Sequence, residues 1–374
     1  MASQATKADA PRARSRFRPS VRALMLAVLV LALGLGWIVG RARDQRLAVE
    51  AIRRSGGTVK YDWENVGRRL NPYPWPWAPK WLVDRLGVDY FGTVQVAIVL
   101  GNVRVDVDDE NLAHVGRLGG LTELYLNNTR VTDAGLAHLA GLTSLKSLHL
   151  SSTAVTDGGL AHLADLVNLT SLRLNNTRVT AAGLAHLRGL TKLKELGLAG
   201  TGVADLAPIW HLTALGQLDL TGTPIGDAGL APVAGMVGLR ALGLDRTKIT
   251  DAGLAHLGGK GRLQWLLLRE TGVTDAGMRH LSSLYSLMGL SLSRTAITDD
   301  GLIPLDRLAF LFSLQLEETR VTDAGLARLS GRPNLRIVEI AGTGITDAGI
   351  AAMRAAAPTI NVTREVDEDT DPPL

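Results

Sequence analysis

Residues 121–144 read LTELYLNNTRVTDAGLAHLAGLTS, and this 24-residue pattern returns almost to the end of the chain. Apolar and polar residues alternate through L-x-L, the period of a strand, and then fall at helical spacing through D-A-G-L-A-H-L-x-x-L. One strand and one short helix, repeated at a fixed period, describe a stack whose turns bury their apolar side only against neighbouring turns. Ten copies open at Leu121, Leu145, Leu169, Leu193, Leu215, Leu239, Leu263, Leu287, Leu311 and Leu335.

Each copy places a threonine after the strand: Thr129, Thr153, Thr177, Thr201, Thr223, Thr247, Thr271, Thr295, Thr319 and Thr343. An inward side chain at that point meets backbone groups that have left the ladder, and a hydroxyl both donates and accepts. The threonine column is therefore expected to hold the turns in register. Thr132 and Asp133, with their counterparts, are read as helix N-terminal caps worth about 1 kcal/mol each. In the fourth copy, residues 193–214, only 22 residues are present and VADLAPIWHL replaces VTDAGLAHL. Pro208 there predicts a tighter turn in place of a regular helix.

The pattern L-x-x-L-x-L-x-x-T-x-V/I-T-D-A-G-L resembles the leucine-rich repeat family, in particular its cysteine-containing class, with Thr where that class has Cys, and the bacterial membrane-anchored type. The resemblance spans residues 121–358. It implies an α/β leucine-rich repeat solenoid, with a curved parallel sheet on the concave face, helices on the convex face, and a role in binding other macromolecules.

Before the array, residues 1–20 form a basic tail (Lys7, Arg12, Arg14, Arg16, Arg18) read as disordered. Between Arg22 and Arg41 lie 18 uncharged, mostly apolar residues, just enough to cross a hydrocarbon layer at about 1.5 Å per residue. Residues 21–40 are expected to be a single transmembrane helix, with the N-terminus inside and the repeats outside the cytoplasm. A cleaved signal peptide is the competing reading, although no A-x-A site follows and Trp37 suits an interface. Leu47, Ala48, Ala51 and Ile52 extend the helix through a juxtamembrane segment, residues 41–57. Residues 58–120 are read as an N-terminal cap with a first imperfect repeat, its open end plugged by Trp75, Trp77, Trp81, Tyr90 and Phe91. Residues 359–374 supply a last strand around Ile360–Val362 and the acidic tail EVDEDTDPPL.

The chain of 374 residues is 46% hydrophobic and carries a net charge of +4, with Arg crowded into the first 54 residues and acids into the last ten. That polarity runs along the chain and is not a basic stripe on a folded face, so no nucleic-acid partner is expected. The lack of cysteine excludes disulfides and thiolate chemistry. No phosphate-binding, zinc-protease or serine-hydrolase motif occurs. Seven histidines (His114, His138, His162, His186, His211, His256, His280) recur at one helix slot; they are read as repeat consensus and not as a metal site. No cofactor and no enzymatic activity are expected.

Function is sought where residues vary while the frame stays fixed. Side chains flanking the inward leucines of each strand point to the concave face. In copies six to nine these slots hold Asp245, Arg246, Trp265, Leu267, Arg269, Glu270, Ser291, Arg294, Gln315, Glu317 and Glu318. Trp265 and Leu267 are expected to face solvent, with Gly243 and Gly289 leaving a hollow beside the tryptophan. A large aromatic anchor with Arg and a polar rim is the composition of an interface, and the expected partner is a protein or peptide. Two other readings compete: the recognition component of a ubiquitin-ligase or effector system, since the T-D-x-G-L repeat is similar to that of F-box proteins, and a purely structural cell-envelope protein.

Overall fold

The computed structural model describes residues 20–66, 69–70, 76, 78–98 and 107–364. Its main sheet has 13 strands in chain order. The first pair, Thr58–Tyr61 with Val94–Ile98, is antiparallel. Every later pair is parallel and in the register the period demands, as in Leu124↔Leu148 and Leu266↔Leu290. The inward leucines form one apolar column from end to end: Leu124, Leu148, Leu172, Leu218, Leu242 and Leu266 have no exposed surface. Lys260 and Arg332 stand where other copies place a buried leucine. Their side chains reach the carbonyls of Ala234 (2.7 Å) and Leu305 (2.6 Å), so the cations do not lie unpaired.

The threonine column is buried except at the half-buried Thr271 and Thr343, and in every copy the hydroxyl donates to the carbonyl three residues earlier, from Thr129 to Leu126 (2.7 Å) through Thr343 to Ile340 (2.8 Å). These bonds close each turn upon itself. On the helical side neighbouring turns are joined by the motif's aspartate, which the local sequence had suggested was a cap. Thr156 is the helix cap, accepting from Gly158 N. The carboxylate of Asp133 reaches one turn along, accepting from Thr156 N (2.8 Å) and Thr156 Oγ1 (2.5 Å). The motif's glycine completes this joint: a Cβ on Gly159 would lie 2.4 Å from Asp133 Oδ1, and one on Gly277 2.3 Å from Asp251 Oδ1.

Eight such joints occur among the described residues, in two blocks. Thr132, Thr156 and Thr180 are held by the turn before; Thr250, Thr274, Thr298, Thr322 and Thr346 form the second run. Between them Ala181 replaces the aspartate, Ala204 the threonine, and Gly226 caps its helix without a side-chain bond. The convex segment of copy four shrinks there to the 3-10 turn Ala207–Ile209, with Pro208 in its first turn. Elsewhere this side carries a short α-helical or 3-10 segment, as in Asp251–Leu254 followed by Ala255–Leu257.

At the N-terminal end one continuous helix, α1 (Val21–Arg54), begins at Ser20, whose hydroxyl accepts from Ala23 N, and ends at Ser55 and Gly56 (φ +67°). By length and composition α1 is apolar enough to cross a membrane, and none of its apolar window is buried against the rest of the chain. Its C-terminal half behaves differently: Ala42, Gln45, Ala48, Val49, Ala51 and Ile52 are buried. Gln45 ties it to the first turn, donating to Gly92 O (2.9 Å) and accepting from Val94 N (3.3 Å). This half-helix, with Tyr61 stacked on Trp63 at 4.5 Å, closes the open end of the core. The aromatic plug expected from the sequence is corrected accordingly: Trp81 is 67% exposed, Tyr90 and Phe91 are only half-buried, and Trp75 and Trp77 lie outside the described residues. A helix with an aliphatic stripe matches the end of an aliphatic core better than bulky rings between prolines.

Because Asp251 and Gly277 share one joint, their substitutions should couple. Asp251→Ala should cost about 1–3 kcal/mol by leaving the Thr274 groups without their acceptor, and Gly277→Ala should destabilise by overpacking against the carboxylate. Denaturant titration of the double variant should show less than the sum of the single effects; strict additivity would refute the joint.

Candidate functional site

Three residues per strand, Trp265–Leu267 for example, put the first and third side chains on the strand face and the middle one in the core. Three further positions then carry the chain off the sheet, and the third of these has positive φ in every copy. In most copies it is Asn128, Ser152, Asn176, Gly200, Gly222 or Gly342, with φ from 56° to 69°. In copies six to nine it is Arg246, Glu270, Arg294 and Glu318, with φ from 53° to 57°. Left-handed backbone suits Gly and Asn and costs other L-residues about 1–2 kcal/mol each.

These four charges alternate in sign along the stack. Arg294 sits between Glu270 and Glu318, donating from Nε to Glu318 Oε1 at 2.9 Å and pairing with Glu270 through its other arm. Arg269 approaches Glu270 at 3.9 Å. The Arg294 hydrogen bond holds the Glu270 carboxyl below its usual range. One step inward, Asp245 accepts from Arg269 N at 2.6 Å, as Asn127 and Asn175 do from Ser151 and Ala199 in earlier copies. Asp245 is thus a rung of the backbone as well as a surface charge.

Several expected surface residues are not at the surface. Leu267 is 6% exposed, Ser291 2% and Glu317 7%. Glu317 accepts the Ser293 hydroxyl, and Gln315 donates to Glu339 at 3.1 Å. Alternation along a strand gives direction, but side chains directed into the sheet's inner face crowd one another, and short register neighbours such as Gly243 and Ser291 let the sheet close over Leu267. Trp265 is half-buried, and the expected hollow at Gly289 is filled by the tryptophan itself: a Cβ on Gly289 would fall 2.1 Å from its ring.

Space opens instead on the other side of Trp265, at the edge where the chain enters the strands. Ala214, Gly216, Gly238 and Ala241 leave a cleft of about 580 Å³ bordered by Lys194, Arg240, Arg262, Gln217 and Glu195. Along the same edge Tyr285 (61% exposed), Phe310 (60%), Phe312 (41%) and Met288 (38%) present apolar side chains to solvent. Reading only the strand slots missed this edge. A compositional signal was available, since the chain has just four phenylalanines and two of them stand here.

On copies one to three the face is polar. Tyr125 donates to Glu123 Oε2 (3.0 Å) and meets the His149 ring edge-on at 4.6 Å. Burial, and then the neighbouring Arg173, lower the His149 pKa. The recurring histidines lie on the helical side; His138 and His186 are exposed, whereas His211 is corrected out of the common slot, since in its shorter copy Pro208 takes that place and His211 follows three positions later, its Nε2 2.8 Å from the Arg188 carbonyl. Among the described residues no three His, Asp or Glu side chains are grouped to hold a metal ion.

A family profile described as Leucine Rich repeat matches residues 141–164 and 211–234. No curated protein sequence matches the chain. Among solved structures, an internalin from Listeria monocytogenes is 23% identical over 77% of this chain and 93% of its own, with a TM-score of 0.51. A leucine-rich repeat protein of Leptospira interrogans is 18% identical over 67% of this chain and 74% of its own, also at 0.51. These likenesses establish the leucine-rich repeat fold and lend no support to a ubiquitin-ligase role.

The His149 shift has a definite sign. A folded-state pKa below the unfolded value means that the unfolded chain takes up the proton first as pH falls, so stability is complete above about pH 6.5 and declines as pH drops through that value. Melting curves between pH 7.5 and 5 should show a smaller loss in His149→Gln than in the parent chain; identical pH slopes would contradict the assignment.

Proposed function

We propose that the protein is a membrane-anchored leucine-rich repeat scaffold that recognises a protein or peptide through the strand face of copies six to nine. The observation that carries this reading is the run Arg246, Glu270, Arg294 and Glu318 in left-handed backbone. The six other copies fill that slot with Asn, Ser or Gly, so the fold does not call for long charged side chains there. Exposed ion pairs contribute about 0–1 kcal/mol each, which does not offset the backbone cost. Backbone strain retained in four consecutive turns, beside a half-buried Trp265, supports a recognition surface there.

Anchoring is read from α1. Its apolar window stands clear of the fold while its second half is built into the cap. Residues 21–40 would then span the bilayer with the N-terminus inside and the repeats extracytoplasmic.

Two experiments test this. The double variant Arg246→Asn/Glu318→Asn should melt at or above the parent temperature, because Asn tolerates the backbone. Its affinity for a partner recovered by cross-linking in intact cells should fall at least tenfold; unchanged affinity would remove the strand face from recognition. Topology is accessible because the chain has no cysteine. A single Thr191→Cys, on an exposed loop, should react with a membrane-impermeant maleimide in intact cells while an N-terminal tag stays attached. Protection of the thiol would reverse the orientation, and loss of the tag would make α1 a cleaved leader.

A further inference from the structure

The edge beside Trp265 is one continuous row. One residue per turn precedes each strand, and its amide donates to the carbonyl of the same residue one turn back: Arg240 to Gly216 (2.7 Å), Gln264 to Arg240 (2.7 Å), Met288 to Gln264 (2.8 Å) and Phe312 to Met288 (2.7 Å). Gly216 in turn donates to Lys194 (2.8 Å). Side chains on such a row stand at the strand spacing of about 4.8 Å. From Lys194 to Phe312 the row therefore runs roughly 24 Å, the length of about seven residues of extended chain.

Its two halves differ in chemistry. At the Lys194 end lies the cleft floored by glycine and alanine, with Lys194, Arg240 and Arg262 exposed around it. None of these three cations makes an ion pair among the described residues. The single carboxylate lining the cleft, Glu195, accepts the Ser171 hydroxyl at 2.9 Å. At the other end Met288 and Phe312 are adjacent rungs, with Tyr285 and Phe310 exposed on the same loops. Surface apolar residues scattered singly need no explanation, but contiguous ones flanked by charge mark an interaction site.

We infer that this edge is a linear groove for an extended segment of a partner protein, acidic in one half and aromatic or branched aliphatic in the other. The inference rests on the recognition reading above and gives it a partner chemistry. Unpaired cations ask for carboxylates, and the exposed rings and thioether ask for apolar side chains. A row of single rungs, each one strand spacing from the next, matches an extended chain laid across the turns. A bilayer surface would instead favour apolar side chains projecting from within a level ring of cations, whereas here the exposed cations and rings are segregated along one line, the rung after Phe312 being Arg336, half-buried with its guanidinium on the Pro333 and Leu335 carbonyls (2.9 and 2.8 Å).

The test uses the full chain in non-ionic detergent and a displayed library of random dodecapeptides. Selected peptides should carry an Asp/Glu block next to an apolar block. Binding of the best one, followed by fluorescence anisotropy, should weaken at least tenfold in Arg240→Glu/Arg262→Glu and in Met288→Ser/Phe312→Ser, and should weaken with added salt through the acidic half. All four side chains are exposed, and circular dichroism checks that the variants remain folded. Absence of enrichment, or binders without acidic residues, would overturn the groove. Peptides sensitive to Arg246→Asn/Glu318→Asn but indifferent to both edge variants would overturn the groove and leave recognition by the strand face standing. Displacement of the peptide by phosphatidylglycerol vesicles, with phosphatidylcholine vesicles inert, would reassign the edge to a membrane surface.

Discussion

The aspartate that bridges from one turn to the next threonine is the constraint on which the helical side of the stack depends. Main-chain bonds tie the strands together, but the short convex segments share no such ladder along their length. Each Asp supplies it by accepting both the amide and the hydroxyl of the residue that caps the next segment, as Asp275 does from Thr298 at 2.9 and 2.6 Å. A charged acceptor makes these stronger than neutral bonds, and at Asp323 they hold the carboxyl below its ordinary range. The joint needs a glycine on the facing turn, since a Cβ on Gly349 would lie 2.0 Å from Asp323 Oδ1. The recurrence of T-D-x-G is thus the recurrence of one three-residue contact.

Much of this was legible in the sequence, within a limit that has a physical cause. Period and alternation fix which side chains enter the core, so the leucine column, the parallel register and the repeat fold could all be read. Partner choice could not. Thr129 and Asp133 each have a plausible role within their own turn; the threonine does act there, on Leu126, while the aspartate acts 23 residues away. Nothing local distinguishes the two cases. The surface shows the same limit: Leu267, Ser291 and Glu317 occupy outward slots, yet neighbouring strands cover them. Direction follows from the backbone of one strand, accessibility from three.

The interruption of the joints gains meaning beside the cleft. Ala181, Ala204 and Gly226 remove two successive bridges on the helical side, and on the sheet side the same region, extending into copies five and six, has the small residues Ala214, Gly216, Gly238 and Ala241 along the cleft. Small residues on both sides of the stack cost packing and hydrogen bonds that neighbouring turns retain. A region that forgoes them while keeping three cations at its rim fits the groove proposed above.

The attachment of α1 bears on how such a surface could work. Ser55 ends the helix only after Ala48, Val49 and Ile52 have entered the core, so no flexible segment separates the apolar stretch from the first turn. Arg46 reinforces the attachment by donating to Leu86 O (3.0 Å), as does Arg117 by pairing with Asp44 (3.2 Å). If the apolar stretch spans a bilayer, the solenoid stands on it as a rigid extension, and the strand face and its leading edge hold a fixed attitude to the membrane. A ligand then meets a surface already oriented, and the entropy that a tethered domain on a loose linker would lose on binding has been lost once, when the helix packed against the first repeat.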